Sequence, residues 1–143
     1  MSESEIVAPQ EATHRYINRE LSLLQFNRRV LAQARDTKTP LMERLFFMTI
    51  CSSNLDEFFE IRVSGVKQQM AMGVTESGID ATTPEDVMHR ISSETHDIVA
   101  QQYRVLNEEL LPALAEEGIR LVQPDGSPEV LEWARAYFMD EVL

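Results

Sequence analysis

Cysteine is nearly absent from this chain of 143 residues: the one thiol, Cys51, has no internal partner, which excludes a disulfide framework. It falls within an apolar helical pattern, where thiols act as small hydrophobes. Long hydrophobic runs are missing too. No stretch approaches the roughly 20 apolar residues that a bilayer span requires, so no transmembrane segment is expected. The leading Met1-Ser2-Glu3-Ser4-Glu5 is acidic and carries no apolar region, so no signal peptide is expected either. Together these absences point to the cytoplasm. Basic charge is scarce: 13 Lys and Arg against 24 Asp and Glu leave a net charge of −11, which argues against nucleic-acid binding by bulk electrostatics. P-loop, dinucleotide, zinc and nucleophile-elbow patterns are all lacking.

What is present is helical. Residues 1–14 are polar and acidic and read as a disordered leader. Ser22-Leu23-Leu24-Gln25 is a capping box, with Leu21 placed to staple onto Phe26. A first helix is expected over about 22–36, with Leu23, Phe26, Val30 and Ala34 on one stripe and Leu24 and Leu31 beside it. Thr39-Pro40 opens a second helix. Its apolar positions at Leu41, Leu45, Met48, Leu55, Phe59, Val63 and Val66 carry it to about Met72, continuous or broken at Ser53 and Asn54. Thr83-Pro84-Glu85-Asp86 starts a third helix running to Glu117, which Pro112 should kink or end early. Ile119-Arg120-Leu121-Val122 alternates as a strand would, and Ser127-Pro128-Glu129 starts a fourth helix still running at Leu143. The expected fold is mainly α: an antiparallel helical bundle over 15–117, then 118–143 as a short strand and a helix that begin a truncated α/β domain.

Charge is uneven along the chain. From Arg15 to Arg44 there are seven basic residues against three acids, a local excess that reads as a solvated helix face, a phosphate site or the counterpart of an acidic surface. His89 and His96 stand seven apart on the third helix, which raises the idea of a phosphotransfer bundle. The carboxylate of Asp97 beside His96 argues against it, because it would repel a phosphoryl group. Asp56, Glu57 and Glu60 are close along a helix and read as solvent-facing acids. Phe46, Phe47, Phe58 and Phe59 are most simply core.

The run Cys51-Ser52-Ser53-Asn54-Leu55-Asp56-Glu57-Phe58-Phe59 breaks the local pattern. Ser and Asn are mediocre in helix interiors because their side chains compete for backbone hydrogen bonds. Asn54-x-x-Glu57 is a capping box that would restart a helix. Equally, Asn54 carries a donor and an acceptor on one planar head, which suits the edge of a nucleobase.

Specific segments also carry a likeness. Tyr16-Ile17-Asn18-Arg19-Glu20-Leu21-Ser22, Phe26-Asn27-Arg28-Arg29-Val30-Leu31, Pro40-Leu41-Met42-Glu43-Arg44-Leu45, Ser53-Asn54-Leu55-Asp56-Glu57-Phe58 and Arg62-Val63 together resemble the N-terminal domain of the type-one polyphosphate kinase family. Leu23 departs from the Trp expected in that pattern. The resemblance implies a phosphotransferase that reversibly moves the terminal phosphate of ATP to polyphosphate through a phosphohistidine, with Mg²⁺ bound mainly outside this segment. It implies that Asn54 contacts the ATP base, with Ser53 and Phe58 as further candidates, Ser52 and Ser53 thinning the wall and Phe58 forming a floor. The 118–143 segment would begin the head domain.

The family's catalytic residues lie outside this chain, so His14, His89 and His96 inherit no catalytic role and the fragment alone is expected to be inactive. The full-length form is expected to be a homo-oligomer in the cytoplasm, free or associated with a membrane. The alternative reading is a helical assembly module with no direct ligand role.

Overall fold

A computed structural model describes residues 17–75, 82–121 and 126–142. The expected leader and His14 lie outside the described residues.

Helix α1 spans Arg19–Arg35 and starts three residues earlier than the Ser22 capping box suggests. The Asn18 side chain accepts from the Glu20 and Leu21 amides at 3.1 and 3.3 Å, satisfying donors that would otherwise be orphaned. The buried stripe is Leu21, Leu24, Asn27, Leu31 and Ala34. Leu23 and Phe26, expected inside, are 38% and 51% exposed. The choice turns on Asn27. A polar residue on the true core face hides that face from a reading based on apolar periodicity.

The second rod is continuous. Helix α2 (Leu41–Glu57) passes through a π-helical turn at Phe58–Val63 into α3 (Ser64–Ala71). Asn54 therefore neither breaks nor restarts the helix, and its carbonyl accepts from the Phe58 amide within it. The buried side chains Arg44, Met48, Cys51, Leu55 and Phe58 recur at steps of four and three, then the stripe jumps five to Val63 and three to Val66. A π turn advances about one residue further than an α turn, so the five-residue step keeps Val63 on the core face. Phe58 is inside at 6% exposure and Phe59 outside at 45%, the reverse of the expected Leu55, Phe59, Val63 stripe. Gly73, at φ 71°, ends α3 with Val74 N–H bonding Gln69 O and Gly73 N–H bonding Met70 O, a Schellman closure that uses glycine's access to positive φ.

The third rod is α4 (Pro84–Arg104), a π-helical turn at Val105–Leu110, and α5 (Leu111–Glu116). The rod starts at Thr83-Pro84 as expected, and Thr83 and Asp86 form a reciprocal capping box there. Pro112 does not end this rod. The π turn immediately before it shifts the ladder, as is needed where proline offers no N–H.

Contacts fix the topology. Asn18 meets Thr82, Arg28 meets Glu94 and Asp97, and Arg35 meets Glu109, so the first and third rods run parallel. The middle rod runs against both, giving an up-down-up bundle with its core among Leu24, Leu31, Cys51, Ile91, Ile98 and Leu110. Three residues of the basic excess, Arg28, Arg35 and Arg44, thus face acids of the third rod. Arg28 donates to Glu94 at 2.7 Å and to Asp97 at 2.6 Å. Burial works against the Arg28 charge, but those hydrogen bonds outweigh it and raise its pKa.

One expectation is corrected. Ile119, Arg120 and Leu121 form no strand, and Ile119 and Leu121 are 50% and 70% exposed. A strand needs a neighbouring ladder, and no second extended segment pairs with this one among the described residues. Val122 lies outside them. Helix α6 (Pro128–Tyr137), with a π-helical end at Phe138–Val142, starts at Ser127 as expected and buries none of its residues.

Arg44 ties the three rods together. It is 8% exposed, and its Nε donates at 2.8 Å to Ala34 O, one of the carbonyls left unpaired at the end of α1. Its Nη2 reaches Glu109 of the third rod at 3.4 Å. Arg44→Met keeps the apolar stem and removes both bonds; it is expected to lower stability by about 1–3 kcal/mol. Urea unfolding checks this, and an unchanged midpoint would show that the clasp contributes nothing.

Candidate functional site between the first two rods

A cleft of about 170 Å³ opens between α1 and the second rod. One wall is Leu23, Leu24, Phe26 and Asn27; the other is Asn54, Leu55, Glu57, Phe58, Ile61 and Arg62. The half-exposed Leu23 and Phe26 are therefore lip residues of the cleft. Arg29 lies over the Phe26 ring at 5.7 Å from its centroid, a cation–π distance that holds the ring at the rim. On the far side, Phe58 and Phe59 meet edge to face at 5.9 Å.

The polar centre of the cleft is a pair of amides. Asn27, 3% exposed, donates from Nδ2 to the Cys51 carbonyl at 3.0 Å. Asn54, half-buried, donates from Nδ2 to Asn27 Oδ1 at 3.1 Å. Both polar atoms of the buried amide are thus paired, as burial demands. The Cys51 thiol closes the group, with Sγ 3.9 Å from Asn27 O. Burial pushes that thiol up to about 11, and its hydrogen bond to Asn27 only partly opposes the shift. A neutral, inaccessible thiol is a packing group and a poor nucleophile.

Of the expected site residues, Asn54 and Phe58 share this cleft and Ser53 does not: it is exposed and lines neither described cleft. Ser52 faces the third rod, where its hydroxyl accepts from Gln102 Nε2 at 3.0 Å. It borders a second groove of about 320 Å³ with Met48, Phe59, Val99 and Tyr103. His89 and His96 are exposed on α4 and line neither cleft; His96 Nδ1 lies 2.6 Å from Ser92 O. Among the described residues no group of three His, Cys, Asp or Glu is arranged to hold a metal ion.

Asn27, Leu23, Phe26, Ile61 and Arg62 are cleft residues that sequence reasoning missed. For Asn27 a signal existed: it is the one polar residue at the three- and four-residue spacing of Leu24, Leu31 and Ala34.

Fold and site define a three-rod helical module with an amide-centred, aromatic-sided cleft. Residues 16–122 match the Polyphosphate kinase N-terminal domain, and the chain belongs to that family. It is 49% identical over 128 residues to the polyphosphate kinase of Pseudomonas aeruginosa, covering 89% of this chain and 19% of that protein. The polyphosphate kinase of Pseudomonas putida is likewise 49% identical, over 89% of this chain and 18% of its own length. That of Burkholderia cenocepacia is 45% identical, with 89% and 19% covered. The chain therefore spans about a fifth of the length of the curated relatives it matches.

The buried thiol makes a checkable prediction. Above its ordinary value of 9.0 the unfolded thiol ionises, whereas the folded one holds its proton to about 11. The unfolded state then binds fewer protons, so stability falls as pH rises from 9 toward 11 and levels off beyond. Denaturant titrations of wild type and Cys51→Ala over this window should converge as pH rises; parallel curves would refute the assignment.

Proposed function

We propose that this chain is the N-terminal part of an ATP:polyphosphate phosphotransferase and that its amide-centred cleft takes the adenine of ATP or ADP. The observation that carries the reading is Asn54. It lines the cleft with one Nδ2–H given to Asn27, while its side-chain Oδ1 and second Nδ2–H meet no partner among the described residues. A free donor and acceptor side by side are what an adenine edge requires. Leu24, Leu55, Phe58 and Ile61 supply the apolar surroundings, and stacking of a base on the Phe58 ring is worth roughly 1–3 kcal/mol.

Size supports a base and argues against a whole nucleotide. Sites that enclose a drug-sized ligand run to about 300–1,000 Å³, whereas this cleft is about 170 Å³. The sugar and phosphates then extend beyond it, toward parts of the longer protein. Glu57 and Arg62 are the charged groups among the described lining residues, one of each sign, so the cleft carries no concentrated positive field for a polyanion. The −11 net charge fits a domain that handles the base and leaves polyphosphate to other surfaces.

In this reading phosphoryl transfer, including the histidine that carries the phosphate, belongs to the remainder of the enzyme, and this segment alone does not turn over. Mg²⁺ accompanies the nucleotide phosphates, outside the base cleft.

Kinetics of the full-length protein test the proposal. Asn54→Ala should raise KM for ATP by about five- to a hundredfold, the range for losing one paired amide contact. Polyphosphate dependence should stay unchanged. An unaltered KM for ATP alongside a lowered Tm would reduce Asn54 to a link in the bundle.

A further inference from the structure

An amide head is nearly symmetric in shape, so Asn54 could offer a ligand either its oxygen or its NH₂, and only its partners decide which. Here the decision begins at a backbone atom. The Cys51 carbonyl can only accept, so Asn27 must turn its NH₂ toward it, and does so at 3.0 Å. Asn27 Oδ1 is left pointing at Asn54 and can itself only accept. Asn54 must then present its own NH₂, which it does at 3.1 Å.

Turning Asn54 over would set oxygen against oxygen. Turning Asn27 over would do the same at Cys51, and at 3% exposure no bulk water is at hand to bridge the mismatch. The orientation is thus handed from a fixed carbonyl through two side chains to the cleft.

We infer that Asn27 is a specificity-setting positioning residue: by locking the Asn54 amide it makes the cleft select 6-amino purines and reject 6-oxo purines. The inference rests on the base-binding reading above. Adenine carries a donor at its 6-position, the N6 amino group, and guanine and hypoxanthine carry an acceptor, O6. A freely turning Asn would adapt to either. In the pose that pairs adenine, a locked Asn54 sets its Oδ1 against the 6-oxo group and its remaining Nδ2–H against the N1–H of the oxo purine, so neither hydrogen bond forms.

The test is a substrate series on the full-length protein: ATP, the purine riboside triphosphate that has only hydrogen at position 6, and ITP with its 6-oxo group. A locked Asn54 gives kcat/KM in the order ATP, 6-hydrogen analogue, ITP, with ITP about tenfold below the 6-hydrogen analogue. ITP used as well as, or better than, the 6-hydrogen analogue overturns the inference. Asn27→Leu, similar in size and unable to hold the amide, should bring ITP up to the 6-hydrogen analogue. A role for Asn27 in stability alone would leave that ratio where it was. Should Asn27→Leu not fold, the wild-type series decides by itself.

Asn54→Ala separates the two levels of the argument. If it leaves ATP use intact, the base-binding reading fails and takes the inference with it. If it impairs ATP use while wild type accepts ITP as readily as the 6-hydrogen analogue, only the lock is wrong.

Discussion

A buried side-chain amide is costly unless its polar atoms find partners, at about 1–3 kcal/mol for an unsatisfied group in a protein interior. Asn27 lies on the core face of α1 between Leu24 and Leu31, and its partners are a carbonyl and an amide of the next rod. That demand fixes how the first two rods sit against each other. Apolar packing alone would tolerate sliding or rotation, because it has no direction. Two directional hydrogen bonds at residues 51 and 54 remove that freedom, and the same two bonds form the polar wall of the cleft. Site and core are here one arrangement.

Around this pin, charge orders the rest of the bundle. The rods are joined along their length by Arg28 with Glu94 and Asp97, and at the far end by Arg35 and Arg44 with Glu109. Exposed pairs of this kind contribute little each. Arg44 differs because it is buried and also caps α1, so its loss would leave the Ala34 carbonyl unmatched and Glu109 with Arg35 alone. An acidic protein thus uses Arg28, Arg35 and Arg44 of its local basic excess to bind its own acids.

The π turn at Phe58–Val63 links packing to the site. By stepping the buried stripe from Phe58 to Val63 it keeps Val63 and Val66 on the core face beyond Phe58, and leaves Ile61 and Arg62 on the cleft wall. Such turns recur at functional positions in helices. The second groove, toward the third rod, lies on the other side of the same helix and shares only Leu55 with the first.

The sequence by itself determined the helical class, the helix start at Thr83-Pro84, and the family, through short segments that carry the likeness. These are local matters: caps, breakers and propensities act within a turn or two, so nearby residues suffice to read them. It also marked Asn54, because a polar run inside an apolar helix is visible without coordinates. Only the tertiary structure decided which face of α1 is buried, since apolar spacing favoured Leu23 and Phe26 and the choice depended on partners 24 and 27 residues away for Asn27. It decided likewise that the helix runs unbroken through Asn54, that Phe58 and not Phe59 is inside, and that Ile119–Leu121 forms no strand. Each of these depends on what lies across the gap: a hydrogen bond needs its second atom, a stripe its opposing surface and a strand its ladder. None of those is written in the segment that needs it.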